Sequence, residues 1–165
     1  MIAEVEKPVY EILNELNIPY SRVEHKAITT CEEADEVMGD LTGIPSKSLF
    51  LTNKKKTAFW LVLMDSSKPL NIKEFSFLIG EKHLSFASEE KMLEKLNLTP
   101  GMVSVFGLLN NKEHDVRVVA DTVLREGEKI TFHPNTNTAT IEIPTCDMYR
   151  FIEYMGNPML EVALP

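Results

Sequence analysis

Eight consecutive residues, Thr57-Ala58-Phe59-Trp60-Leu61-Val62-Leu63-Met64, carry one hydroxyl among otherwise apolar side chains. A strand alternates its side chains between two faces, so a run like this is apolar on both and must be covered on both. It is therefore expected to be a central strand with other layers above and below it. Lys47 to Thr52 precedes it as a second strand, and the polar connection Asn53-Lys54-Lys55-Lys56 has hairpin length. The three lysines read first as a solvated hairpin tip and second as a local basic surface.

Helical and strand segments alternate irregularly around this hairpin. Val5, Val9, Ile12, Leu13 and Leu16 recur at helical spacing, and Pro19 follows. Tyr20 to Glu24 reads as a short strand. Thr30-Cys31-Glu32-Glu33 matches a capping box for a helix reaching about Met38. Asn71 caps a helix over 72–79 that Gly80 stops, and a further helix starts after Ser88 and ends near Leu96. Val116 to Ala120, Lys129 to Phe132 and Thr138 to Ile143 read as strands. Thr145 is expected to cap a closing helix to Met155, followed by a short apolar tail to Leu164. Met148, Phe151, Met155 and Met159 are assigned to the core in preference to a surface stripe.

Six or seven strands with five helices, joined by hairpins without strict strand–helix alternation, predict a mixed α/β fold of the α+β kind. The sheet is expected to be mixed and flanked by helices. With no repeat or linker, residues 1–165 read as a single domain. The chain has 165 residues, 44% of them hydrophobic, which is enough for a real core. No apolar run approaches the ~20 residues of a membrane span. The charged start Met1-Ile2-Ala3-Glu4-Val5-Glu6-Lys7-Pro8 does not read as a signal peptide. Cys31 and Cys146 lie far apart and read as free thiols in a reducing cytoplasm. Seventeen basic against 25 acidic residues give a net charge of −8, unsuited to a general nucleic-acid coat but compatible with a local basic rim.

Common catalytic motifs are absent. Ser46 stands where a P-loop needs glycine before Lys47, and there is no Gly-x-Ser-x-Gly or Gly-x-Gly-x-x-Gly. His25, His83, His114 and His133 show no metal-ligand spacing, so neither a metal nor a cofactor is expected. Three segments have odd composition. Lys47 opens an apolar strand, where it either enters a cleft to hold an anionic or carbonyl group or snorkels to water. Leu98-Thr99-Pro100-Gly101-Met102-Val103-Ser104-Val105-Phe106-Gly107 is either a plain turn or a loop whose amides bind a carbonyl. Phe132-His133-Pro134-Asn135-Thr136-Asn137-Thr138-Ala139-Thr140 is either an Asn-rich turn or a dense set of hydrogen-bonding groups.

Taken together these segments resemble the YbaK/ProX family of prolyl-tRNA editing domains, in its free-standing ProX-like branch. The resemblance runs from about His25 to Phe151. It rests on Lys47-x-Leu49-Phe50-Leu51, Leu84-Ser85-Phe86-Ala87, Pro100-Gly101-x-Val103, Phe106-Gly107-Leu108 and His133-Pro134-x-x-Asn137-Thr138-Ala139-Thr140.

The resemblance implies a barrel-like mixed, largely antiparallel sheet flanked by helices. It also implies a cytoplasmic aminoacyl-tRNA deacylase acting in trans on mischarged proline tRNA, typically alanyl-tRNA. By similarity Lys47 engages the 3′-terminal adenosine or its phosphate and orients the ester. Gly101 begins a Gly-x-x-x-Pro loop whose backbone meets the aminoacyl group, and His133 lines the pocket that measures amino-acid size. Lys47, Gly101 and His133 are the catalytic candidates; Ser48, Met102, Val103, Ser104, Val105, Phe106 and Asn137 are the substrate-binding ones. The acceptor end of aminoacyl-tRNA is the implied partner, prolyl-tRNA synthetase a further candidate, and neither DNA nor a membrane is expected. Two positions depart from the family: Val105 replaces the loop proline, and Ser48 replaces an asparagine. A non-catalytic tRNA-binding module on the same fold, or a deacylase for cysteinyl- or seryl-tRNA, are the alternative readings.

Overall fold

The computed structural model describes residues 2–26 and 41–165, so the expected helix over 30–38, and Cys31 within it, lie outside the described residues. The remaining elements form one mixed sheet of eight strands: β1 (Ser21–Glu24), β2 (Ile44–Thr52), β3 (Phe59–Asp65), β4 (Ser85–Phe86), β5 (Val116–Asp121), β6 (Lys129–Phe132), β7 (Ala139–Pro144) and β8 (Met159–Val162). Strand order is β1-β7-β6-β2-β3-β5-β8, with β4 as an additional partner of β2. The β1–β7, β6–β7, β2–β3 and β2–β4 pairs are antiparallel, and β2–β6, β3–β5 and β5–β8 are parallel. Antiparallel pairing thus predominates. No described pairing joins β1 to β8.

The continuous apolar run is the central strand its composition demands. In β3, Phe59, Leu61 and Leu63 enter a large core, while Trp60, Val62 and Met64 enter a smaller one on the other face. All six are buried, at roughly 1.5–3 kcal/mol apiece. The large core is closed by α1 (Lys7–Glu15), by α4 (Thr145–Met155) and by a 3-10 turn over Val105–Asn110. The small core is closed by Phe75 of α2 (Ile72–Ile79), together with Leu84 and Leu164.

Capping follows the sequence closely at two helices. Asn71 Oδ1 accepts the Glu74 N–H at 3.1 Å, and Gly80 ends α2 with φ 73°. Ser88 Oγ accepts the Lys91 N–H at 3.2 Å to open α3 (Glu89–Leu96). Thr145 departs from expectation: it is buried inside α4, Pro144 takes the cap position, and the Thr145 hydroxyl caps nothing.

The apolar tail is also more than a tail, because Met159–Val162 pairs in parallel with β5 as β8. Met148 and Phe151 are core and Met155 packs against it, whereas Met159 on β8 is exposed.

Candidate active site

The site is built on an opening along one edge of β2. Its other edge is paired to β3 without interruption from Ser46 to Thr52. The open edge has two partners in succession: β6 at Ile44 and Pro45, then β4 at Leu51 and Thr52, with Ala87 N–H donating to Phe50 O at 2.9 Å. Residues 46–49 have no strand partner on that edge among the described residues. The Ser46 hydroxyl donates to Thr131 O and closes the near end of this notch.

Lys47 sits within the notch and is half-buried. The last β2–β6 rung is Pro45–Thr131, so Lys47 and His133 each stand two residues beyond it, level with each other on diverging chains. Alternation gives both the same side. Ile130 and Phe132 enter the large core, leaving Thr131 and His133 on the opposite face. Phe50 enters the same large core, while Leu49 and Leu51, in phase with Lys47, join the small one.

Asn135 ties the His133 loop to the Gly101 loop. It is buried in a left-handed conformation (φ 62°), and its Nδ2 donates to Phe106 O at 3.2 Å. Its Oδ1 is buried with no hydrogen-bond partner. Phe106 also packs edge-on against Phe132 with ring centroids 5.9 Å apart. Gly101 itself is exposed in a turn with φ 86°, a backbone state that favours glycine, and nothing lies within 4 Å of the position a Cβ would take.

His133 is held by Ala139 O, 3.4 Å from its Nδ1. Burial pushes its pKa below the ordinary imidazole value; the contact with Ala139 O opposes that shift, and charge on nearby His25 adds to it. His25 is anchored beside it, with its N–H donating to Thr138 O at 3.0 Å and its Nε2 lying 2.9 Å from Thr140 Oγ1. Across β7 and β6, Glu142 faces Thr131, and its carboxylate is occupied by the Gly43 N–H at 2.7 Å and by Lys129 at 3.7 Å.

Several sequence-predicted contacts are placed elsewhere. Ser48 is one residue out of phase with Lys47 and pairs with Leu63, on the large-core side. Ser104, Val105 and Phe106 are completely buried; Ser104 Oγ caps its own turn by accepting the Phe106 N–H at 3.1 Å. Their side chains are internal supports, so only the backbone of that segment can face a ligand. Met102 and Val103 are half-buried against the large core, and Asn137 is half-buried in the His133 loop. Gly107 serves packing: a Cβ there would lie 2.9 Å from Leu98 Cδ1. Sequence reading left Asn135 and His25 out of the site, although the polar run after His133 contained the first of them. A separate apolar groove of about 720 Å³, lined by Phe77, Leu78, Leu164 and Pro165 among others, includes none of the candidate residues.

The family model of the aminoacyl-tRNA editing domain matches residues 25–151, from His25 to Phe151. The chain belongs to that family. As an editing domain it is an aminoacyl-tRNA hydrolase, and the match spans the β2 notch and both loops. Among curated relatives, the prolyl-tRNA editing protein ProX of Acetoanaerobium sticklandii is 33% identical over 164 residues, covering 99% of this chain and 100% of the relative. The prolyl-tRNA synthetase associated domain-containing protein 1 of Danio rerio is 36% identical over 152 residues, covering 91% and 82%. A solved structure assigned as a trans-editing enzyme for prolyl-tRNA synthetase shares the fold at TM-score 0.75 and 17% identity over 100% of both chains. Among the described residues, no helix of the editing domain is long and apolar enough to cross a membrane.

Proposed function

We propose that this editing domain, acting as a single free-standing unit in the cytoplasm, hydrolyses the ester of mischarged proline tRNA, with alanyl-tRNA as its main substrate. The observation that carries the reading is the level placement of Lys47 and His133 on two strands that have stopped pairing. That arrangement offers a cation to the terminal adenosine or its phosphate, beside a half-buried imidazole whose pKa burial holds below the ordinary value. The two relatives whose names refer to prolyl-tRNA support the choice of tRNA.

An aminoacyl ester is already activated, so orientation and polarisation of its carbonyl account for much of the barrier reduction. Lys47 holds the nucleotide end, and the Gly101 backbone contacts the acyl group. His133 closes the pocket and limits its size. The attacking water is positioned with help from the free hydroxyl of the terminal ribose. Proline carries more atoms than alanine, and a wall rejects the larger group sterically, whereas one methylene gained in a pocket discriminates by only about 1–3 kcal/mol.

The test is release of amino acid from alanyl-, cysteinyl-, seryl- and prolyl-tRNA by wild type, Lys47→Ala and His133→Ala. Preferential alanine release is expected from the wild type, with His133→Ala gaining activity on prolyl-tRNA. Tight tRNA binding without turnover of any ester would replace the enzyme reading with a binding module.

A further inference from the structure

The sheet edge that holds Lys47 continues to the three lysines at the hairpin tip. Lys54, Lys55 and Lys56 are all exposed, and among the described residues none of them forms an ion pair. Lys73, Lys82 and Lys112 are likewise exposed without an ion pair among the described residues, but each stands singly in sequence, whereas Lys7, Lys68, Lys91, Lys95 and Lys129 each face a carboxylate. Three adjacent uncompensated cations on a chain of net charge −8 concentrate positive potential at one end of the molecule.

The tip is also structurally defined. Asn53 Oδ1 accepts the N–H groups of Thr57 at 2.9 Å and Ala58 at 3.3 Å, and Lys56 N–H donates to Asn53 O at 3.0 Å from a left-handed turn of φ 56°. This frame projects the lysines from a fixed turn.

Between notch and tip lies an exposed aromatic ring. Phe86 of β4 pairs with Leu51, so its side chain falls on the same face as Leu51, Leu49 and Lys47. It is 57% exposed. An exposed ring between one lysine and a cluster of three is the composition of a single-strand stacking platform. The seven steps from Lys47 to Lys54 cover at most about 23 Å at ~3.3 Å per step. That matches about seven stacked nucleotides at ~3.4 Å each, which is the unpaired 3′ end of a tRNA plus the first pairs of its acceptor stem.

We propose that Lys54, Lys55 and Lys56 bind the phosphate backbone of the acceptor stem, with Phe86 stacking on the unpaired 3′ nucleotides leading to Lys47. The inference rests on the editing reading for the position of the 3′ end, but its readout is binding. The lysine track accounts for RNA recognition by an acidic protein: affinity resides in one local stripe, and it is insensitive to base sequence because phosphates carry no sequence information.

The experiment titrates uncharged full-length proline tRNA, and separately a short oligonucleotide ending in CCA, against four proteins. These are wild type, the variant Lys54→Gln/Lys55→Gln/Lys56→Asn, the charge-retaining variant Lys54→Arg/Lys55→Arg/Lys56→Arg, and Phe86→Ala. The neutral variant is expected to lose about tenfold in affinity for full-length tRNA, and the slope of log affinity against log salt to shrink by about two units. The arginine variant is expected to stay within about threefold of wild type, since backbone phosphates accept either cation. Phe86→Ala is expected to weaken binding of the short oligonucleotide by about 5- to 150-fold, the loss of one base stack. Equal tRNA affinity and equal salt slope in wild type and the neutral variant would overturn the proposal. Absence of ester hydrolysis by a wild type that binds tRNA through this stripe would overturn the deacylase reading and uphold the docking surface.

Discussion

Thr140 holds His25 at 2.9 Å, one residue along β7 from Ala139, whose carbonyl oxygen holds His133 at 3.4 Å. Two imidazoles therefore share one strand on one side of the sheet, and charge on His25 adds to the lowering of the His133 pKa. Burial is the larger reason that His133 stays neutral.

That neutrality has a consequence for stability. The folded-state pKa of His133 is depressed, so the unfolded chain binds more protons than the folded one between that value and the ordinary imidazole value of about 6.5. Its contribution to stability is intact above about pH 6.5 and is lost as pH falls through that window. Urea midpoints measured from pH 8 to pH 5 should fall for wild type, with a shallower fall for His133→Gln.

Lys47→Met should reduce turnover by about 10²–10³-fold, the usual cost of removing one placed electrostatic contact. Its stability should stay within ~0.5 kcal/mol, because the ammonium makes no ion pair among the described residues. Single-turnover deacylation with a parallel melting curve checks both. Turnover within threefold of wild type would remove Lys47 from the mechanism.

The two glycines of the Pro100–Gly107 segment should respond to alanine for opposite reasons. Gly107→Ala brings a methyl to 2.9 Å from Leu98 Cδ1 and 3.3 Å from Leu96 Cβ, an overpacking cost of about 1–3 kcal/mol. Gly101→Ala meets nothing within 4 Å, but its φ of 86° carries a strain of about 1–2 kcal/mol. Gly101→Asn should recover part of that loss, whereas no polar side chain should rescue Gly107. Denaturant titration of the three variants separates the two causes.

Arg22→Met should destabilise the fold by about 3–5 kcal/mol while leaving kcat unchanged. Glu6 is fully buried and receives Arg22 at 3.0 Å, the Tyr10 hydroxyl at 2.7 Å and the Ala3 N–H at 2.7 Å. Losing the guanidinium strands a buried carboxylate. Adding Glu6→Gln to that variant should restore a measurable part of the loss, read as a shift in urea midpoint.

Local signals account for much of what the chain shows before folding. The cap at Asn71, the stop at Gly80 and the cap at Ser88 are contacts within four residues, so composition determines them. The eight-residue apolar run required coverage on both faces, and the split of Phe59, Leu61 and Leu63 from Trp60, Val62 and Met64 meets that requirement. Family motifs carried Lys47, Gly101 and His133 as a set. β4 escaped because two residues carry no alternation, and β8 because its residues are exposed or half-buried and mark no buried face; both exist through their partners, β2 and β5.

The tertiary structure decided what those motifs surround. Phe106 and Val105 belong to the same loop motif as Gly101, yet a hydrophobic side chain beside a glycine turn has no local reason to face ligand or core. The burial of Phe106 is settled by Phe132 and Phe151, which come from a distant strand and a distant helix. Likewise, the register of β6 against β2 brings Lys47 level with His133 across 86 residues of chain, and parallel pairing leaves no short-range trace in sequence. The sequence determined which side chains were available; the divergence of two paired strands determined where they meet.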